Sequence, residues 1–150
     1  MASSKITPLT EEEMRDWPKH PLVNLEKPFV DLRGSIQPLV DSIMKSAVMI
    51  QSKAGSLRAN HYHKTDWHFI YVLKGSFKYY SQDLITKKKY RSLLVKKGEL
   101  IFTPPKIIHA TYFLENTEIL ALSKNLRDTK NYEKDTVRVE LIDKKDFCIE

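Results

Sequence analysis

Four of the five histidines of this chain fall within two short segments, and their spacing limits what the chain can fold into. The first segment runs from Gly55 through Arg58, His61, His63 and His68 to Gly75, and the second from Gly98 through Pro104 to His109. Neutral imidazole is the commonest protein ligand for transition metals. His61 and His63 are two residues apart, so on a strand both rings leave the same face. A further strand can bring His109 to the same point, and His68 completes the set if the chain bends between 63 and 68. The pattern predicts a metal pocket inside a β-barrel, with His61, His63, His68 and His109 as ligands.

The rest of the sequence has the texture of an all-β domain. Strand-like runs occur at 29–32, 36–40, 47–52, 68–73, 77–81, 90–95, 100–103, 109–114, 118–123 and 137–142. Turn signals separate them, and three of the four glycines, Gly55, Gly75 and Gly98, stand at such turns. Many short strands at close spacing point to a sandwich or barrel. Ahead of them, residues 1–9 read as a loose tail. Thr10 and Glu13 then form a capping-box signature for a short helix, which Pro18 and Pro21 close off. The expected organisation is an N-terminal arm over 1–27 and one barrel domain over 28–150.

Strand alternation extends the candidate site. On the His109 strand, Thr111 and Phe113 share the histidine's face; on the His68 strand, Ile70 and Val72 do. Thr111 and Phe113 are therefore expected to contact substrate, together with Arg58 and with Tyr79, for which no parity argument exists. Tyr62 and Tyr112 fall on the opposite face. Those outer faces are also apolar and need a cover, and exposed Tyr71 and Tyr112 would suit a homodimer contact. Asp66 reads as a loop residue that faces solvent, with an inward ligand role as the alternative. Trp67 reads as packing, and His20, between two prolines, as surface.

The spacing Gly-x5-His-x-His-x4-His-x6-Gly, followed by Gly-x5-Pro-x4-His, resembles the two signature motifs of the cupin superfamily. The resemblance implies a double-stranded β-helix, a jelly-roll barrel. Three departures stand out. His68 occupies the usual glutamate position, Lys106 replaces a glycine, and Phe113 replaces an asparagine. Four imidazoles are a neutral ligand set that leaves the full charge on a divalent ion, and they suit manganese, iron, nickel, zinc and copper alike. A second resemblance is looser. The segment Phe29-Val-Asp31-Leu-Arg33-Gly34-Ser35-Ile36 looks like an entry found in nucleotide-sugar 3,4-ketoisomerases and in dTDP-4-dehydrorhamnose 3,5-epimerases. The run Arg58-Ala-Asn-His61-Tyr-His63-Lys64 resembles the Arg-Gly-x-His-Ala-His-Lys of the ketoisomerases. By that likeness His61 and His63 would move protons without a metal, and Arg58 would meet a phosphate or an oxyanion.

Function is less constrained than fold, because one barrel hosts many chemistries. The leading expectation is a metal-dependent isomerase or epimerase of a small polar carbohydrate, such as a nucleotide-linked or phosphorylated keto-sugar. The alternatives are an iron- or manganese-dependent dioxygenase and a non-catalytic ligand-binding cupin. Composition fits a small enzyme: 150 residues are enough for one domain with a core. The single cysteine, Cys148, excludes an intramolecular disulfide. No apolar run approaches the ~18 residues of a membrane span, and the N-terminus lacks the apolar centre of a signal peptide. A cytoplasmic location and no membrane partner are expected. The net charge of +6 raises a nucleic-acid reading. Its densest runs, Lys87-Lys88-Lys89 and Lys96-Lys97, sit at strand turns, and no recognition helix or aromatic-basic interleave accompanies them. Nucleic acid is not an expected partner.

Overall fold

The computed structural model describes residues 6–147; Cys148 lies outside them. Two antiparallel sheets face each other. One has four strands in the order β3 (Ser46–Ser52), β10 (Thr117–Ser123), β5 (His68–Lys74) and β8 (Leu100–Thr103). The other has five, in the order β11 (Thr136–Arg138), β4 (Leu57–His63), β9 (Ile107–Phe113), β6 (Ser76–Asp83) and β7 (Arg91–Lys96). Consecutive strands fall in different sheets at several crossings, which is the jelly-roll pattern that the family resemblance implied. The interior holds Ile70, Val72, Phe77, Val95, Ile101, Phe113 and Ile119 among its buried residues. Ile70 and Val72 thus lie on the face that strand parity gave them.

The tight turns explain three glycines. Gly55, Gly75 and Gly98 all have positive φ, where a side chain is strained. At Gly75 a Cβ would also lie 2.6 Å from the Asn116 carbonyl oxygen. The Lys87-Lys88-Lys89 run occupies the exposed loop between β6 and β7, as expected of a charged turn.

The outer faces are covered by the chain's own ends. Helix α1 (Glu11–Arg15) carries the capping box that the sequence advertised. Glu13 does two things: its Oε1 accepts from the Thr10 backbone N–H at 2.7 Å, and its Oε2 accepts from Trp67 Nε1 at 3.0 Å. The arm then lies along β8, where Val23 donates to the Leu100 carbonyl at 2.9 Å and Phe102 to that of Pro21 at 2.8 Å. Leu9, Trp17, Val23 and Leu25 pack on Trp67, Phe69, Leu100 and Phe102. Residues 6–9 are therefore not a loose tail: Leu9 is in this cluster, and the Thr7 carbonyl accepts from Lys124 Nζ. On the other sheet, Leu141 and Ile142 pack with Tyr80 and Ala110.

Several sequence expectations shift here. Tyr71 and Tyr112 are only half-exposed, because Tyr71 packs into the arm cluster and Tyr112 into the C-terminal one. The 36–40 run is a strand only at its start: β2 (Gly34–Ile36) pairs with β1 (Phe29–Asp31), and Val40 turns into the arm cluster. The 137–142 run pairs only through Arg138 and then leaves the ladder. Strand β4 extends beyond the His61 and His63 pair to the whole of Leu57–His63, a mostly polar stretch without a strand-like apolar run. Helix α2 (Thr129–Asp135) adds an element that the sequence pattern does not indicate. Its sequence Thr-Lys-Asn-Tyr-Glu-Lys-Asp has no apolar period, and its only local signal is the N-cap Asp128.

Candidate metal centre

Strand β4 carries the first two histidines, and its neighbours complete the site. On one side β9 sets His109 directly opposite His61. On the other, β11 sets Thr136 opposite His63 and Arg138 opposite His61. His68 comes from β5 in the facing sheet, paired with Thr103 and Ser123. All four rings are buried.

A bulge aims the pair. The β4–β9 register shifts between Ala59 and His61, and Ala59 and Asn60 both have positive φ, at 69° and 55°. Such a bulge re-aims the side chains that follow it. It lets Arg58 and His61 line one cavity, although simple alternation would place them on opposite faces. The C-terminal segment locks it. Asn60 Oδ1 accepts the backbone N–H groups of Leu141 and Ile142, both at 3.1 Å, and its Nδ2 donates to the Ile142 carbonyl at 2.9 Å.

Ring nitrogens of His61, His63 and His109 lie within 4.8 Å of one another, the one potential metal cluster among the described residues. His68 is not among those three but lies in the same ring cluster. Its ring centre is 5.2 Å from that of His109 and 5.6 Å from that of His63. It approaches from the facing sheet, and its ring separation from His63 equals that of His63 from His109, 5.6 Å. It still lines the same cavity.

Hydrogen bonds fix two tautomers. His109 Nδ1 lies 2.9 Å from the Ile107 carbonyl, which only accepts, so Nδ1 carries the proton and Nε2 the lone pair. His63 Nδ1 lies 3.2 Å from Thr136 Oγ1, whose own proton goes to the Tyr132 carbonyl at 2.6 Å. The hydroxyl therefore accepts from His63, and Nε2 is again free to bind. Such outer bonds orient metal-binding imidazoles. His61 Nδ1 is buried without a hydrogen-bond partner among the described residues. An orphaned buried nitrogen beside two free lone pairs fits a bound cation.

Burial keeps the rings neutral. It pulls His61 down to about 2, with His109 and His63 adding to the effect. It pulls His63 to about 3 and His109 to about 4. His68 is also held well below its ordinary value, again chiefly by burial. Asp66 is not on the surface. It is buried, lines the cavity and accepts the Asn125 N–H at 2.9 Å, and burial raises its carboxyl to about 6.

The cavity encloses about 410 Å³. Its apolar wall includes Ile50, Ile70, Phe113 and Ile119, and Thr111 adds a hydroxyl. Thr111 and Phe113 thus stand where parity placed them. Arg58 is at the rim, with its Nε donating to Ser52 Oγ at 2.7 Å. Tyr79 does not line this cavity. It is buried behind His109, its ring centre 6.4 Å away and its hydroxyl 2.8 Å from Thr103 Oγ1. Three lining residues carried no sequence signal for a site: Arg127, Tyr132 and Arg138. They belong to the α2 and β11 segment, which has no motif.

The sequence profile of the family described as Cupin matches residues 37–147. The chain belongs to the cupin family. No curated protein matches it by sequence. Among solved structures this cupin is similar to a 3,4-ketoisomerase from Helicobacter canadensis, at a TM-score of 0.67 and 18% identity over 86% of this chain and 94% of that one. It is similar to dTDP-4-dehydrorhamnose 3,5-epimerase from Sulfolobus tokodaii at 0.65 and 19%, over 82% and 85% of the two chains. It is similar to the sugar 3,4-ketoisomerase QdtA from Thermoanaerobacterium thermosaccharolyticum, in complex with TDP, at 0.64 and 18%, over 78% and 85%. At these identities the likeness is one of fold.

Two outcomes follow for this cupin. Unfolded histidines take up protons below pH ~6.5, whereas the buried rings resist until far lower, so stability is present above that value and is lost as pH falls. Asp66 acts in the opposite sense between about 6 and its ordinary 3.8, but it is one group against four. Urea midpoints measured in EDTA are expected to drop from pH 7 to pH 5, with a slope of up to about 1.4 kcal/mol per pH unit for each ring. A flat profile would contradict buried neutral imidazoles. Second, Ala59→Gly relieves a left-handed alanine, which costs roughly 1–2 kcal/mol, against an unfolded-state cost of about 0.4–1 kcal/mol. Chemical denaturation is expected to show stability unchanged or raised by up to about 1 kcal/mol, and a clear loss would refute the strained bulge.

Proposed function

We propose that this cupin is a metal-dependent isomerase or epimerase of a small polar carbohydrate. The observation that supports it is the cluster of three buried, neutral imidazoles, His61, His63 and His109, opening into a cavity that also holds proton-carrying side chains. A divalent transition ion (manganese, iron, zinc or nickel) held by those rings supplies a Lewis acid that polarises a sugar carbonyl. The chain's own residues do the rest. Asp66 accepts the proton from the carbon beside the carbonyl. Tyr132, whose ring centre is 5.5 Å from that of His63, returns a proton from its phenol. Burial raises the Tyr132 phenol, so it stays protonated at neutral pH. Arg58 and Thr111 offer donors to sugar hydroxyls, and the apolar wall excludes water. His68 closes the far side of the cavity as a neutral ring.

The test joins metal analysis to isotope exchange. Protein purified without chelator is expected to hold about one equivalent of metal, lost in His61→Ala and His109→Ala. Incubated in D2O with keto-sugars, including TDP-4-keto-6-deoxyglucose, the ligand of one fold neighbour, it is expected to introduce deuterium beside the carbonyl whether or not oxygen is present. Oxygen uptake without deuterium would make it a dioxygenase. Binding without either would make it a ligand-binding module. Exchange by metal-free protein would give the proton transfers to His61 and His63.

We also infer a homodimer through the β1–β2 hairpin. That hairpin pairs with no strand of the barrel among the described residues, and Phe29, Val30, Leu32 and Ile36 are 59%, 67%, 108% and 66% exposed. An isolated hairpin is marginal in water, and contiguous exposed apolar surface marks an interface. The outer edge of β3 is open to a strand from a second copy, and Met49 on that strand is exposed. Light scattering during gel filtration is expected to give twice the chain mass, falling to the chain mass in a Val30→Asp, Ile36→Asp variant. A monomeric parent protein would end the idea.

A further inference from the structure

Two arginines stand over the histidine cluster without adequate counter-charge. Arg138 lies directly across from His61 on paired strands, so both side chains leave the same face of the sheet. The Arg127 guanidinium sits 4.8 Å from the centre of the Tyr132 ring, and that ring is 5.5 Å from His63 and 6.2 Å from His61. All three side chains line the cavity. The sole carboxylate within ion-pair distance of Arg138 among the described residues is Glu133, at 3.0 Å, with side chains 66% and 52% exposed. Exposed pairs of this kind are weak and exchange readily. No carboxylate lies within ion-pair distance of Arg127 among the described residues. Inside the cavity the acid is Asp66, against Arg58, Arg127 and Arg138. Both arginines also help to hold His61 unprotonated, after burial and the neighbouring rings.

We propose that Arg127 and Arg138 bind an oxyanion on the substrate and so determine its class: a sugar that carries a phosphate or a carboxylate, not a neutral sugar. The guanidinium fork matches either group bidentately and stays charged at all working pH values. Arg138 exchanges Glu133 for the ligand's oxygens, and Arg127 approaches from the Tyr132 side. The anion is then held at the His61 and His63 side of the cavity, and the uncharged carbons of the sugar reach the rings. The identification of the ligand as a sugar rests on the isomerase or epimerase reading; the oxyanion site does not.

Calorimetric titration of the whole protein tests this, with inorganic phosphate, glucose 6-phosphate, glucuronate and glucose as probes. At least one acidic sugar is expected to bind about tenfold or more tighter than glucose, as expected of a charge-assisted contact. A preference for phosphate and glucose 6-phosphate identifies a sugar phosphate, and a preference for glucuronate a sugar acid. Arg127→Gln and Arg138→Gln are each expected to weaken acid binding about tenfold or more, with metal content unchanged and Arg127→Lys retaining part of the affinity. Glu133→Gln, which removes the competing carboxylate, is expected to tighten it. Glucose binding as well as the acids, no binding of any acidic probe, or unchanged affinity in both glutamine variants overturns the proposal. Because binding is read without turnover, acid binding without deuterium exchange rejects the isomerase and leaves the arginine pair standing. Exchange on neutral sugars alone does the reverse.

Discussion

Strand β4 is the member on which the site depends, because both of its edges are occupied. Its pairing with β9 sets His109 against His61, and its pairing with β11 sets Thr136 against His63 and Arg138 against His61. A slip of one residue in either ladder would turn the histidines away from the cavity. The bulge at Ala59 and Asn60 makes the register specific, and the three bonds from Asn60 to the backbone of Leu141 and Ile142 hold it. The C-terminal segment is thus part of the site although it contributes no ligand.

Burial does chemical work at this centre. Four imidazoles in a dry interior cannot all carry protons, so they present lone pairs, and the carbonyl of Ile107 and the hydroxyl of Thr136 decide which nitrogen is free. The same desolvation raises the Asp66 carboxyl to about 6, so one environment yields unprotonated rings and a carboxyl that gives up its proton less readily than usual. Arg127 and Arg138 add fixed positive charge to the same cavity wall. Neutral imidazoles with arginines on the same cavity wall make an attractive field for an anion.

The arm solves a different problem. Phe69, Leu100 and Phe102 face outward from the four-stranded sheet and would be exposed in a bare barrel. Trp17 caps them, its ring 5.7 Å from Phe102 and 6.0 Å from Trp67, while Glu13 ties helix α1 to Trp67. Trp67 directly precedes His68, so the arm buttresses the strand that carries the fourth ring.

Local sequence was enough for the barrel and for part of the site. Gly55, Gly75 and Gly98 take the positive φ of tight turns without strain, and Thr10 with Glu13 can satisfy a helix end without help from the rest of the chain. His61, His63, Thr111 and Phe113 share a face by the two-residue period of a strand, which spacing alone reveals. What spacing cannot reveal is which sheet a strand joins. His68 reaches the cavity from β5 in the facing sheet, and Tyr79 lies behind His109 in a bond with Thr103. The Ala59 bulge, the inward turn of Asp66, and the arrival of Arg127, Tyr132 and Arg138 all depend on contacts between residues tens of positions apart. Those contacts are set by sheet pairing and burial, which are properties of the folded chain and leave no local periodicity to read.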